Sequence, residues 1–131
     1  MKASAQTPLG KESVGVDRGL SRQQRILSPL VFRDAFDNGT SLGGRFLVLW
    51  RRKAEDAEQR LGVVAAKRTF PRAVDRNRAK RLLREAFRLN RWRMTTRDDI
   101  VLLARGKILR AKRQDVEKDL LNVFKNAHIS D

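Results

Sequence analysis

DRNRAKRLLREAFRLNRWR, residues 75–93, carries eight Arg or Lys against two acidic residues, yet Leu, Ala and Phe recur through it at helical intervals. Advancing about 100° per residue from Arg76 places Lys80, Arg84 and Arg88 near 40°, 80° and 120°, with Asn77 and Arg81 beside them at about 100° and 140°. Ala79, Leu82, Leu83, Ala86 and Leu89 fall between about 220° and 340°. The spacing predicts a two-faced helix over 74–90, with Phe87 on the boundary and Arg78 at the far edge of the basic wall, near Glu85. Such a helix needs an apolar layer to pack on and presents its other side to solvent or to a partner.

Strand-like sequence brackets this helix and sets the fold class. Before it, RLGVVAAK (60–67) reads as a strand, and Pro71 separates it from the helix. After it, DDIVLLAR (98–105) is short and almost wholly apolar, the pattern of a strand in a sheet interior. In the earlier run RFLVLWRR (45–52), Phe46, Val48 and Trp50 alternate with Leu47, Leu49 and Arg51, so both sheet faces are expected to be covered at least in part. The charged segment KAEDAEQ (53–59) between the first two strands is expected to be a solvated hairpin loop. Ser28 and Pro29 form an N-cap and first-turn pair for a helix that Asn38-Gly39 ends, with Phe32 and Phe36 four apart on one face. A last helix over 112–126 carries Val116, Leu120, Leu121, Val123 and Phe124. The order helix, strand, strand, helix, strand, helix predicts an α+β fold: a small mixed sheet with helices packed on it and one β-α-β crossover.

The chain has 131 residues, enough for one domain with a core. Its start is small and polar without a sustained period, so a flexible tail over 1–20 and a single domain over 21–131 are expected. Thirty Lys and Arg against fifteen Asp and Glu give a net charge of +15 and an isoelectric point near 11.5, a field that attracts polyanions and opposes self-association. No stretch approaches the roughly 18 apolar residues of a membrane span, and the first residues lack the apolar core of a secretory signal, so a cytoplasmic protein is expected. The absence of cysteine excludes disulfides, thiolate metal sites and cysteine nucleophiles, and a single histidine, His128, gives acid–base catalysis little to work with.

Within the basic helix, Arg76, Lys80, Arg84 and Arg88 stand at three successive i,i+4 spacings. Like charges so placed cost roughly 1 kcal/mol together, which bound phosphates would offset. Most of these cations are arginines, whose planar fork bonds phosphate in pairs and stacks on bases. A helix lying on a membrane would need a bulkier apolar face, and here that face is required by the sheet, so structured nucleic acid is the expected partner.

The run Arg76-Asn77-Arg78-Ala79-Lys80-Arg81-Leu82-Leu83-Arg84-Glu85-Ala86-Phe87-Arg88 resembles the RNR signature of the protein subunit of bacterial ribonuclease P. Its flanks agree in order and spacing. RILSPLVFRDAFDNGTS (25–41) resembles the family's first helix with its two phenylalanines, RLGVVAAKR (60–68) its glycine-valine strand ending in a basic pair, and DDIVLLAR the strand after the RNR helix. The resemblance implies a small α-β sandwich whose β-α-β crossover is left-handed, against the usual rule. It further implies that a large RNA subunit with bound Mg²⁺ cleaves precursor tRNA to leave the mature 5′ end. The protein, one copy per RNA, would bind that RNA and touch the single-stranded 5′ leader of the substrate.

On the matched positions, Arg76, Asn77, Arg78, Lys80, Arg81 and Arg84, with Lys67 and Arg68 at the end of the second strand, would meet the catalytic RNA. Phe32, Phe36 and Trp50 would line the leader cleft, Trp50 standing where a tyrosine is frequent. Arg88, Arg91 and Arg93 extend the patch, and no catalytic residue or protein-borne metal is implied. A metal-dependent nuclease acting alone would need clustered carboxylates, and the adjacent pairs Asp98-Asp99 and Glu55-Asp56 supply little, since neighbours on a strand point to opposite faces. A non-catalytic RNA-binding protein such as a ribosomal component fits the composition as well. A helix-turn-helix module fits poorly, because strand-like sequence flanks the basic helix on both sides.

Overall fold

The computed structural model describes residues 20–131, so the expected tail over 1–20 lies outside the described residues apart from Leu20. The elements are α1 (Pro29–Asn38), β1 (Thr40–Gly43), β2 (Leu47–Arg52), β3 (Leu61–Val64), α2 (Ala73–Asn90), β4 (Asp99–Ala104) and α3 (Arg113–Asn126). Short 3-10 turns occupy Arg22–Gln24, Arg91–Arg93 and Gly106–Arg110. Ser28 starts α1 as expected, its Oγ accepting from the Leu30 N–H at 3.2 Å. The sheet has the order β1-β2-β4-β3, with β3 and β4 parallel and the other pairs antiparallel, so β3, α2 and β4 form the expected β-α-β unit in a mixed sheet.

The strands differ from expectation in three ways, of which the first concerns the loop after β2. KAEDAEQ is not a hairpin loop, because β4 lies between β2 and β3. β4 is buried along nearly its whole length, and a strand apolar on both faces takes the place with a neighbour on either side. The segment after β2 instead passes the start of β4, where Glu58 N and Arg60 N donate to the Asp99 carboxylate at 3.1 and 3.0 Å. β1 was not expected, since TSLG has no apolar alternation. It pairs through its backbone with the edge of β2, and α3 ties down the turn between them: the Asp119 carboxylate accepts from Arg45 N at 2.9 Å and Phe46 N at 2.8 Å.

One sheet face carries the main core. Leu47 and Leu49 of β2, Leu61 of β3 and Ile100 and Leu102 of β4 pack with Leu83 and Phe87 of α2 and Leu120 and Phe124 of α3. Phe46 precedes β2 and joins this side rather than that of Trp50. On the other face, Val31, Phe32 and Ala35 of α1 pack on Trp50, Val64 and Val101. Gly62 permits this approach, since a side-chain carbon there would stand 2.5 Å from the Phe32 ring.

α2 is turned by roughly 50° from its expected orientation. Leu89, expected inside, is 39% exposed, whereas Phe87 and Asn90 are buried beside Ala79, Leu83 and Ala86. The helix packs on α3 as well as on the sheet, and Phe124 meets Phe87 edge to face with centroids 6.3 Å apart. Asn90 tolerates burial because its Nδ2 donates to Ala86 O at 2.9 Å. Among the described residues, no helix is long and apolar enough to cross a membrane.

Candidate nucleic-acid interface

The rotation of α2 decides which of its cations face outward. Asn77, Arg78, Arg81 and Arg84 are exposed, so Arg78, expected at the far edge of the wall, shares the open side with Arg81. Lys80 and Arg88 are half-buried, and Arg88 is paired with Glu85. Arg76 turns inward, its Nη1 donating to Phe70 O at 2.9 Å and Pro71 O at 3.0 Å. It thereby ties the β3–α2 connection to the first turns of α2. That connection bears the exposed Lys67 and Arg68 on a turn closed by Phe70 N donating to Ala66 O at 2.8 Å and anchored by the buried Phe70 ring. Among the described residues, ion pairs hold Arg51, Arg52, Arg60 and Arg88, and none holds Lys67, Arg68, Arg78, Arg81 or Arg84.

Arg25 joins this surface without a local signal in the sequence. Residues 25 and 26 run beside β3, with Arg25 bridged to Leu61 and Ile26 N donating to Leu61 O at 2.9 Å. Desolvation pushes the Arg84 guanidinium below its ordinary value, and the like charge of Arg25 adds to the shift. A phosphate bound beside Arg25 and Arg84 would offset this like-charge repulsion.

Phe32, Phe36 and Trp50 converge on the α1 side of the sheet. The Phe36 and Trp50 rings meet edge-on, with centroids 5.0 Å apart at 81°, and Phe32 lies against Gly62. Phe36 is 41% exposed and the other two are half-buried, so the rings line a surface rather than a closed core. Val48, Val64 and Leu103 on the same face are also half-buried. Arg105, which no motif singles out, lies at β1, where a side-chain carbon on Gly43 would stand 2.7 Å from its Nη2.

The carboxylates are engaged elsewhere. Arg51 pairs with Asp98, its Nε at 2.9 Å, and donates to Ala127 O. Asp99, fully buried, accepts from Arg52 Nη1 at 2.9 Å, Arg60 Nη2 at 2.7 Å and the two backbone N–H groups of 58 and 60. Arg52 also reaches Asp34 at 2.5 Å and Asp56 at 2.8 Å. Burial pushes the Asp99 carboxyl up, but the bonds from Arg60 and the backbone outweigh it and hold the group below its ordinary value. Among the described residues, no group of three or more His, Cys, Asp or Glu is placed to hold a metal ion.

A fold of this topology with an RNR helix against its sheet has known counterparts, and the model of the ribonuclease P family matches residues 20–128. The chain belongs to the ribonuclease P protein family. The ribonuclease P protein component of Vesicomyosocius okutanii is 33% identical over 106 residues, 81% of this chain and 92% of that protein. That of Pseudomonas entomophila is 42% identical over 92 residues, 69% of this chain and 68% of its counterpart. Among solved structures, the RNase P protein of Staphylococcus aureus matches with a TM-score of 0.72 at 26% identity, over 82% of this chain and 98% of the other. The RNase P protein of Thermotoga maritima matches with a TM-score of 0.68 at 31% identity, over 78% and 96%. The ribonuclease P protein family supplies the protein part of a ribonucleoprotein endoribonuclease of tRNA processing, which implies an RNA subunit as partner.

Proposed function

We propose that this chain is the protein component of ribonuclease P, holding the catalytic RNA through α2 and the β3–α2 turn, and the 5′ leader of precursor tRNA through the α1 side of the sheet. The observation that carries this reading is the coexistence of two open surfaces of different chemistry. Among the described residues no ion pair engages Lys67, Arg68, Arg78, Arg81 or Arg84, and Asn77 lies among them, as suits phosphates of a folded RNA. Phe32, Phe36 and Trp50 line a face suited to a single strand, where stacking is worth about 1–3 kcal/mol per base and tolerates many sequences. Arg76 and the half-buried Lys80 complete the basic set, Arg76 by holding the turn that presents Lys67 and Arg68.

Asp34, Asp56, Asp98, Asp99 and Asp119 are bonded to arginines or backbone N–H groups, and among the described residues no group of three or more His, Cys, Asp or Glu is placed to hold a metal ion. On this reading Mg²⁺ is bound mainly by the RNA subunit, as the family resemblance implies, and the protein's part is to bind and orient. We take the complex to hold one protein per RNA and to be cytoplasmic, as the family resemblance implies, and the net charge of +15 opposes self-association of the free chain.

The test is cleavage of precursor tRNA by the catalytic RNA at low Mg²⁺, with and without this chain. The protein should lower the Mg²⁺ requirement and tighten binding of substrates that carry a leader. No change in cleavage or in substrate affinity would overturn the assignment. RNA binding should also weaken with salt, by about −0.9 in log–log slope per duplex phosphate contact and −0.7 per single-strand contact.

A further inference from the structure

Beyond the C-terminus of α2 the chain turns through Arg91–Arg93, and Trp92 leaves 73% of its surface exposed. Its position is nevertheless fixed. The indole Nε1–H donates to Leu89 O at 3.0 Å, and the Arg93 guanidinium lies over the ring, 4.5 Å from its centroid. Arg93 Nε in turn donates to Asn90 Oδ1 at 3.0 Å, and the buried Asn90 is bonded to Ala86 O. Arg91 pins the turn to the segment before β3, its Nε donating to Gln59 O at 3.0 Å and its Nη2 to Glu58 O at 3.3 Å. An aromatic ring held in this way loses little entropy when a partner covers it.

The surroundings select the partner's chemistry. Residues 86–97 contain Arg88, Arg91, Arg93 and Arg97 and no acidic residue, a field that repels a second copy of this basic chain and attracts a polyanion. Leu89 is the adjoining open apolar side chain, far less than a protein interface of ordinary size requires. A flat indole beside a guanidinium is what a nucleobase stacks on. Trp92 follows the helix packed on one sheet face, whereas Trp50 belongs to the other.

We propose that Trp92 is a second stacking platform, separate from the Phe32–Phe36–Trp50 surface, for an unpaired base of the RNA subunit. The inference rests on the reading of α2 as the helix that binds that RNA. Arginines along α2 hold the backbone, and Trp92 at its end registers one base.

Binding of the ribonuclease P catalytic RNA tests this. Trp92→Ala should weaken binding about 5- to 150-fold, the range of one aromatic–base stack, with the thermal melt unchanged and Trp92→Phe retaining most of the affinity. The chain has two tryptophans, so in Trp50→Phe the emission of Trp92 alone should be quenched by the RNA and shielded from acrylamide. Where Trp50→Phe does not fold, the emission difference between wild type and Trp92→Phe carries the same signal. Wild-type affinity in Trp92→Ala, or RNA binding that leaves Trp92 emission and acrylamide access unchanged, overturns the platform while the RNA-binding role stands. Failure of the wild-type chain to bind the RNA removes the role beneath it. A change in sedimentation of the free Trp92→Ala protein would assign the ring to a protein contact and overturn the inference.

Discussion

Arginine occupies two settings in this molecule. Around Asp99, Arg52 and Arg60 share one buried carboxylate, with Asp34 and Asp56 completing the cluster at the junction of α1, β2 and β4. On α2, Arg78, Arg81 and Arg84 are open to solvent and, among the described residues, take part in no ion pair, and Arg84 feels the like charge of Arg25. The same side chain closes a structure in the first setting and leaves one incomplete in the second. A count of thirty cations does not locate an interface; cations crowded without counter-charge do.

Removing the shared carboxylate should disturb this contrast most. Asp99→Ala leaves Arg52 and Arg60 without their common partner and should cost about 3–5 kcal/mol of stability in urea unfolding, while the folded fraction binds RNA as before. An unchanged urea midpoint would mean that the cluster is no more structural than the face of α2. Acid acts on the same group. Its folded value lies below the ordinary 3.8, so its contribution is present above about pH 4 and is lost as pH falls through the folded value. The urea midpoint should therefore drop below pH 4 in the wild type and less in Asp99→Asn.

On the open face the effect should fall on binding instead. Arg81→Ala or Arg84→Ala should lower affinity for the catalytic RNA roughly 5- to 8-fold at 0.1 M salt, one phosphate contact each, with stability unchanged within about 0.5 kcal/mol. A comparable loss of stability in either variant would erase the distinction between the settings. Arg76→Ala should give the smallest and most mixed result. Its two carbonyl bonds predict about 1 kcal/mol of stability, with a partial loss of RNA affinity through the loosened turn at Lys67 and Arg68. Equal hydrogen exchange at residues 67–70 in variant and wild type would rule out that positioning role.

What could be read along the chain was local. The Ser28 cap, the extent of α2, the apolar β4 and the amphipathic α3 each follow from residues within one or two turns or strand repeats of each other. The RNR run with its flanks identified the family, and the aromatic trio expected to act together does converge on one surface. The misses were long-range. β1 draws its pairing from β2 and its turn from Asp119 of α3, and β4 displaces β3 from the hairpin that KAEDAEQ suggested. Arg25 and Arg105 enter through segments far from α2 and β1 in sequence, so no spacing rule could place them.

The sequence by itself determined that α2 has a dry side and a basic side, because a period of about 3.6 residues separates its leucines from its arginines. Only the tertiary structure decided where the boundary between them runs. Phe124 and the sheet together draw Phe87 inward, which turns Leu89 and Arg78 out and Arg76 in. Packing against two neighbours fixes a rotation that periodicity leaves free, and that rotation selects the arginines left outside any ion pair among the described residues.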